Sequence, residues 1–232
     1  VHGIFMKRRN RNNGDLKPCN TTSVFSAVSE VRDIKKMNSI LEKKQLFQRA
    51  ETGIIHGRFQ ILHNDHVKYL LAGKQFCRHL VVGITNPDPM LTKKEHADSQ
   101  RDNPSSNPLT YYERYILVNE VLQAEGIKSN EFSVVPFPIN MPELYKYYVP
   151  MDGLFFLTIY DDWGKKKLNI FKSLGLNTHV LWEVPPEKKG ISAAEIRRLM
   201  VDGKPWEHVV HPRVSNLLKK WDIPCRLKSY CQ

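Results

Sequence analysis

The chain has 232 residues, 41% of them hydrophobic and 25% charged, which supports a packed core and excludes wholesale disorder. No apolar run approaches the ~18 residues of a membrane helix, and residues 1–10 are basic without the apolar stretch of a secretory signal. Cys19, Cys77, Cys225 and Cys231 lack CxxC spacing, which argues against a zinc site or disulfide framework and for free thiols in a cytoplasmic protein.

The formal charge of +11 points to anionic partners without choosing among them. Ahead of Gly53 stand 11 Lys and Arg against 5 Asp and Glu, so a surplus of 6 sits in the first quarter of the chain. Residues 1–50 are read as a basic N-terminal extension and 51–232 as the main domain. The run Met6-Lys7-Arg8-Arg9-Asn10-Arg11 has no period that could bury a face, so it reads as a solvated leader, with a nucleic-acid tail as the alternative. Over residues 29–49, Val31, Ile34, Met37, Ile40, Leu41 and Phe47 recur at helical spacing and predict an amphipathic helix.

From Gly53 onward short apolar runs alternate with helical patterns. Strands are predicted at 53–57, 79–84, 132–136, 154–158 and 178–182, and helices at 66–76 and 111–125. Buried strands in alternation with helices predict an α/β fold, a doubly wound parallel sheet. Residues 86–107 carry Pro87, Pro89 and Pro104 and predict a long loop beside the strand ends, where open sheets bind ligands.

Three segments carry chemistry. The first is Gly57-Arg58-Phe59-Gln60-Ile61-Leu62-His63-Asn64-Asp65-His66, between a predicted strand and a predicted helix. Two histidines three apart at a helix start can point at one ligand, the helix's free N–H groups favour an anion, and Arg58 suits phosphate oxygens. The competing reading is a loop with two surface histidines. The second is Gly190-Ile191-Ser192-Ala193-Ala194-Glu195-Ile196-Arg197-Arg198. Ser192 and Glu195 form a capping box, which would place Arg197 and Arg198 in early turns where an anion would neutralise them; a structural salt bridge is the alternative. In the third, Asn107-Pro108-Leu109-Thr110-Tyr111-Tyr112-Glu113-Arg114, Thr110 and Glu113 mark a further helix entrance.

In order and spacing these segments resemble the nucleotidyltransferase superfamily with its H-x-G-H and I-S-x-T-x-I-R motifs. Within it they are most similar to the archaeal-type nicotinamide-nucleotide adenylyltransferases. The resemblance covers residues 53–218 and implies a Rossmann-like nucleotidyltransferase domain over 51–232. It implies adenylyl transfer from ATP to nicotinamide mononucleotide, or nicotinate mononucleotide, giving NAD and pyrophosphate with Mg2+ as cofactor. His63, His66 and Arg197 would be catalytic. Gly57, Arg58, Phe59, His63, His66, Ser192 and Arg197 would hold ATP. Tyr145 would replace the family's tryptophan that stacks on the nicotinamide ring, and Asn140 and Trp163 would join it at the acceptor. Alternatively, Tyr145, Tyr147 and Tyr148 pack on the sheet. No side-chain metal site, membrane or nucleic-acid partner is implied, and self-association is left open.

The departures from the family pattern leave other functions open. Asp65 replaces the glycine of H-x-G-H, Ala194 replaces a threonine, and the run from Thr158 to Lys167 replaces an S-G-N-P turn and is expected still to face the acceptor. The first alternative is a cytidylyltransferase, or another nucleotidyltransferase, acting on a different phosphorylated or phosphonate metabolite. The second is a weakened nucleotide- or nucleic-acid-binding protein.

Overall fold

The five apolar runs lie side by side as parallel strands in the computed structural model, which describes residues 49–88, 103–188 and 190–230. They are β1 (Ala50–Gly57), β2 (Cys77–Thr85), β3 (Phe132–Phe137), β4 (Leu154–Ile159) and β5 (Asn177–Glu183). Each is a little longer than its apolar run predicts. The spatial order is β3-β2-β1-β4-β5, and every pairing is parallel. The described residues belong to one compact unit, Gln48–Gln232. The basic leader and the helix expected over 29–49 fall outside the described residues, Arg49 apart, as does the 89–102 part of the expected loop.

Adjacent residues on a strand face opposite sides, so the sheet builds two cores. Ile55, Val82, Ile84 and Phe156 face one layer of helices, where α1 (Asn64–Gln75) contributes Leu70 and α2 (Tyr111–Ala124) contributes Leu117, Val118 and Val121. The same core takes Ile196 and Met200 of α4 (Ala193–Val201), Val214 and Leu218 of α5 (Pro212–Lys220), and Leu227 of α6 (Ile223–Ser229). Ile54, Val81, Phe155 and Leu157 face the other way, onto Tyr145 and onto Phe171 of α3 (Asp162–Ser173). Gly73 lets α1 lie close to the sheet: a Cβ there would stand 2.9 Å from Ile55 Cδ1.

The helices change face after β3, and β1 and β4 are neighbours. That is a topological switch point, where the strand ends open a crevice. The doubly wound sheet predicted from the sequence is therefore present. Three helices are not foreseen: α5 and α6 near the C-terminus, and α3, where Asp162–Ser173 is capped by the Asp161 carboxylate accepting from the Gly164 N–H at 2.9 Å. The core positions of α3 are too few for the apolar pattern to announce it.

The loops at the strand ends are held by side chains buried beneath them. Gln60 pairs its amide with both backbone groups of Leu109, donating at 2.8 Å and accepting at 2.9 Å. Arg114, 1% exposed, donates to the carbonyls of Arg58 (3.0 Å), Thr85 (2.8 Å), Asn86 (2.8 Å) and Thr110 (3.2 Å). Burial, and then the nearby Arg58 cation, pull its pKa down to about 10, so it stays charged at neutral pH. Both predicted capping boxes are formed, Thr110 with Glu113 and Ser192 with Glu195. Arg226 ties Glu113 to the C-terminal helix by two bonds of 2.8 Å.

Candidate active site

A cavity of about 410 Å3 opens at the carboxyl ends of β1 and β4, and it gathers the first and second motifs. The β1–α1 loop is tight. Phe59 takes a left-handed φ of 52°, and its ring folds back over Gly57, where a Cβ would lie 2.6 Å from ring carbons. A phenylalanine in that region is strained, and full burial of its side chain holds it there. The Phe59 ring then meets His66 edge-on at 5.2 Å.

His63 precedes the first turn of α1, and His66 lies within that turn. Their rings are 3.8 Å apart at 30°, so the two histidines three apart do converge. The His63 backbone N–H donates to His66 Nδ1 at 3.4 Å, which places the proton of a neutral His66 on Nε2. The N-terminus of α1 adds backbone N–H groups and its positive dipole end at the same place. Arg58 and Gly57 also line the cavity. Opposite stand Ser192, Ala193 and Ala194, where α4 begins. Ser192 donates its backbone N–H and its hydroxyl to Glu195, 2.8 Å each, and those bonds hold the Glu195 carboxyl below its ordinary range.

Asp65 stands in the wall between these parts. Its carboxylate faces Lys68 at 3.2 Å and lies against Gly190, where a Cβ would meet Oδ2 at 2.0 Å. The bare α-carbon of Gly190 gives the carboxylate its room. As the second residue of α1, Asp65 puts negative charge at the helix end that the histidine motif offers to an anion. A carboxylate ~5 Å from one phosphate charge, at an effective dielectric of ~20, costs roughly 3 kcal/mol before screening. Solvent and Lys68 reduce that to about 1 kcal/mol. Asp65→Gly is therefore expected to lower the Kd of the nucleoside triphosphate about 3- to 10-fold by calorimetry. Abolished turnover would instead make the carboxylate a metal ligand or an essential part of the helix start.

Several expected site residues are placed elsewhere. Arg197 is buried, and its guanidinium donates to the Gln60 carbonyl. It braces the β1–α1 loop from behind and is not among the cavity-lining residues. Arg198 falls in the last turn of α4, where its charge suits the dipole; the nine-residue helix is too short for the early-turn assignment. Tyr145 is fully buried: its hydroxyl donates to the Ile139 carbonyl at 2.6 Å, and its ring packs on Phe137 at 4.5 Å and Phe171 at 6.2 Å. The packing alternative holds for Tyr145, and no face of it is left for an acceptor ring. Asn140 lies in the turn after β3, and Trp163 is half-buried with Lys166 Nζ 5.8 Å from its ring centre; neither lines the cavity.

The remaining wall takes Thr158, Tyr160 and Lys167 from the run that replaces the S-G-N-P turn, together with two residues motif reasoning missed, His56 on β1 and Tyr69 on α1. A histidine at the ligand-facing end of the apolar run Gly53-Ile54-Ile55-His56-Gly57 was the one available signal.

Comparison with known proteins agrees with this geometry. Over 182 residues the chain is 47% identical to the phosphonoformate cytidylyltransferase of Streptomyces viridochromogenes, covering 78% of this chain and 98% of the relative. It is 26% identical over 172 residues to the nicotinamide-nucleotide adenylyltransferase of Thermococcus kodakarensis, covering 74% and 84%. For the corresponding enzyme of Pyrococcus furiosus the values are 29% over 171 residues, covering 72% and 82%. A bifunctional NMN adenylyltransferase/ADP ribose pyrophosphatase from Francisella tularensis shares the fold, with a TM-score of 0.55 at 14% identity over 78% of this chain and 53% of that one. No protein-family model matches the chain. The chain belongs to the nucleotidyltransferase family. It is an enzyme of that class.

Proposed function

We propose that this enzyme transfers CMP from CTP to phosphonoformate or a similarly small phosphonate, with release of pyrophosphate. The observation that carries this reading is the burial of Tyr145. The resemblance to adenylyltransferases calls for an aromatic face at this position to stack on nicotinamide, and here that face is locked between Phe137 and Phe171. An acceptor without a ring needs no such face. The Streptomyces relative, which this chain matches over 98% of its length, supports the same choice. Adenylyl transfer to nicotinamide mononucleotide, favoured by the motifs alone, has support only from relatives of lower identity.

In the proposed reaction a phosphonate oxygen of the acceptor attacks the α-phosphorus of CTP. The new P–O bond replaces the bond from that phosphorus to the oxygen bridging to the β-phosphate, and the electron pair leaves on pyrophosphate. A phosphonate ionised at neutral pH has no proton to lose, so no protein base is required. The chain supplies position and electrostatics. His66, through Nε2, and His63 donate to triphosphate oxygens as negative charge moves toward the leaving group. The starts of α1 and α4 present backbone N–H groups, and at the second Ser192 and Glu195 hold the helix entrance in place through their capping box. Arg58 adds a guanidinium at the cavity wall. Magnesium, entering with the triphosphate, would neutralise part of its charge and so offset the Asp65 carboxylate in the wall.

A panel of four nucleoside triphosphates against phosphonoformate and nicotinamide mononucleotide, read by pyrophosphate release, tests the assignment. The expected result is a kcat/KM for CTP with phosphonoformate at least ~10²-fold above that for ATP with nicotinamide mononucleotide. The reverse preference would sink the cytidylyl reading.

A further inference from the structure

His56 is 5% exposed, and neither ring nitrogen has a hydrogen-bond partner. Buried polar atoms of folded proteins are nearly always bonded, so an orphaned imidazole calls for a reason. Its position supplies one. It sits one residue before the Gly57 turn, in the cavity wall that also holds Thr158, Tyr160 and Lys167. On its other side its ring meets Phe137 at 5.7 Å and Phe171 at 5.4 Å, the same two rings that enclose Tyr145. The four rings form one block that fills the space beneath the strand ends, and His56 is its member at the cavity.

We infer that His56 and Lys167 form the acceptor subsite, in which the His56 imidazole hydrogen-bonds an oxygen of a small dianionic or trianionic acceptor and the Lys167 ammonium offsets its charge. This rests on the proposed reaction and specifies where that reaction's acceptor binds. The triphosphate is assigned to the side of the wall with His63, His66, Arg58 and the start of α4. Gln60 is bonded to Leu109 and the Tyr69 hydroxyl to the Phe156 carbonyl, and the opposite side holds His56, Thr158, Tyr160 and Lys167. A doubly charged phosphonate with a carboxylate one bond away needs more than one counter-group within a short span. One lysine beside one imidazole fits that need. Burial, and then the Lys167 charge, hold the His56 pKa well below its ordinary value, so the ring is neutral at neutral pH. A neutral ring offers one N–H donor without a second positive charge that an empty cavity would have to accommodate.

The inference separates stability from binding. His56→Phe extends the aromatic block and removes two unsatisfied nitrogens, so its melting temperature should stay level or rise. Its KM for phosphonoformate should increase at least tenfold, while its KM for CTP stays within about twofold. His56→Asn and His56→Gln, which return an amide N–H near the positions of Nδ1 and Nε2, should recover part of the acceptor affinity in at least one case. Lys167→Met should raise the phosphonoformate KM in the same selective way. Unchanged acceptor KM in His56→Phe, with normal wild-type turnover, would overturn the subsite and leave the cytidylyl reading standing. Equal losses for CTP and phosphonoformate, without recovery in either amide variant, would make His56 merely structural. Should His56→Phe fail to fold, the two amide variants and Lys167→Met carry the same KM comparison. Absence of wild-type turnover with CTP and phosphonoformate would overturn the proposed reaction and the subsite together.

Discussion

His63→Ala and His66→Ala are each expected to lower kcat by ~10²-fold or more, with a smaller change in the affinity for the nucleoside triphosphate. The expectation follows from geometry. The two rings lie 3.8 Å apart at the start of α1, and the backbone bond to His66 Nδ1 leaves Nε2 as that ring's donor. Phe59 packs edge-on against His66 and limits its rotation, so the donor is held in place before substrate arrives. Charge on the departing phosphates grows along the reaction, so a donor fixed at their position stabilises the transition state more than the ground state. Alanine at either position keeps α1, because the core contacts of the helix come from Val67, Tyr69 and Leu70. Steady-state kinetics beside calorimetric titration of CTP would separate the two effects. Near-full turnover in either variant would remove that histidine from the chemistry.

Much of this architecture is legible in the sequence, for a physical reason. Parallel strands buried on both faces must be apolar throughout, so Leu80-Val81-Val82 and Leu154-Phe155-Phe156-Leu157 announce themselves. Helix starts are equally local: Thr110 with Glu113, and Ser192 with Glu195, need only three residues of chain. The histidine pair was legible too, because its convergence depends on one helical turn. What local pattern did not show depends on distant partners. Tyr145 becomes a core residue through Phe171, 26 positions later, which sits on a helix with few apolar positions. Arg197 turns inward to a carbonyl 137 residues away. His56 reads as an ordinary strand residue until pairing with β4 brings Thr158 and Lys167 into the same wall. Local pattern thus places the histidine pair and the start of α4 at the cavity, and tertiary contact decides which side chains complete its wall.

Arg114→Ala is expected to be the most destabilising of these substitutions, by about 3–5 kcal/mol in chemical denaturation. One guanidinium bonds carbonyls from three separate stretches: Arg58 after β1, Thr85 and Asn86 after β2, and Thr110 before α2. Removing it leaves those oxygens without their donor in a space 1% exposed, and each such orphan costs ~1–3 kcal/mol unless water reaches it. The Thr85 carbonyl bond lies deepest. Arg114→Lys should recover little, because a single ammonium cannot reproduce a planar fork that spans three loops. Loosening the Gly57–Phe59 turn would also displace the histidines, so the folded fraction of either variant should turn over more slowly than wild type at saturating substrate. A melting temperature within about 2 °C of wild type for Arg114→Ala would mean that water replaces the guanidinium, and that the loops at the strand ends are held by Gln60 and its two bonds to Leu109 instead.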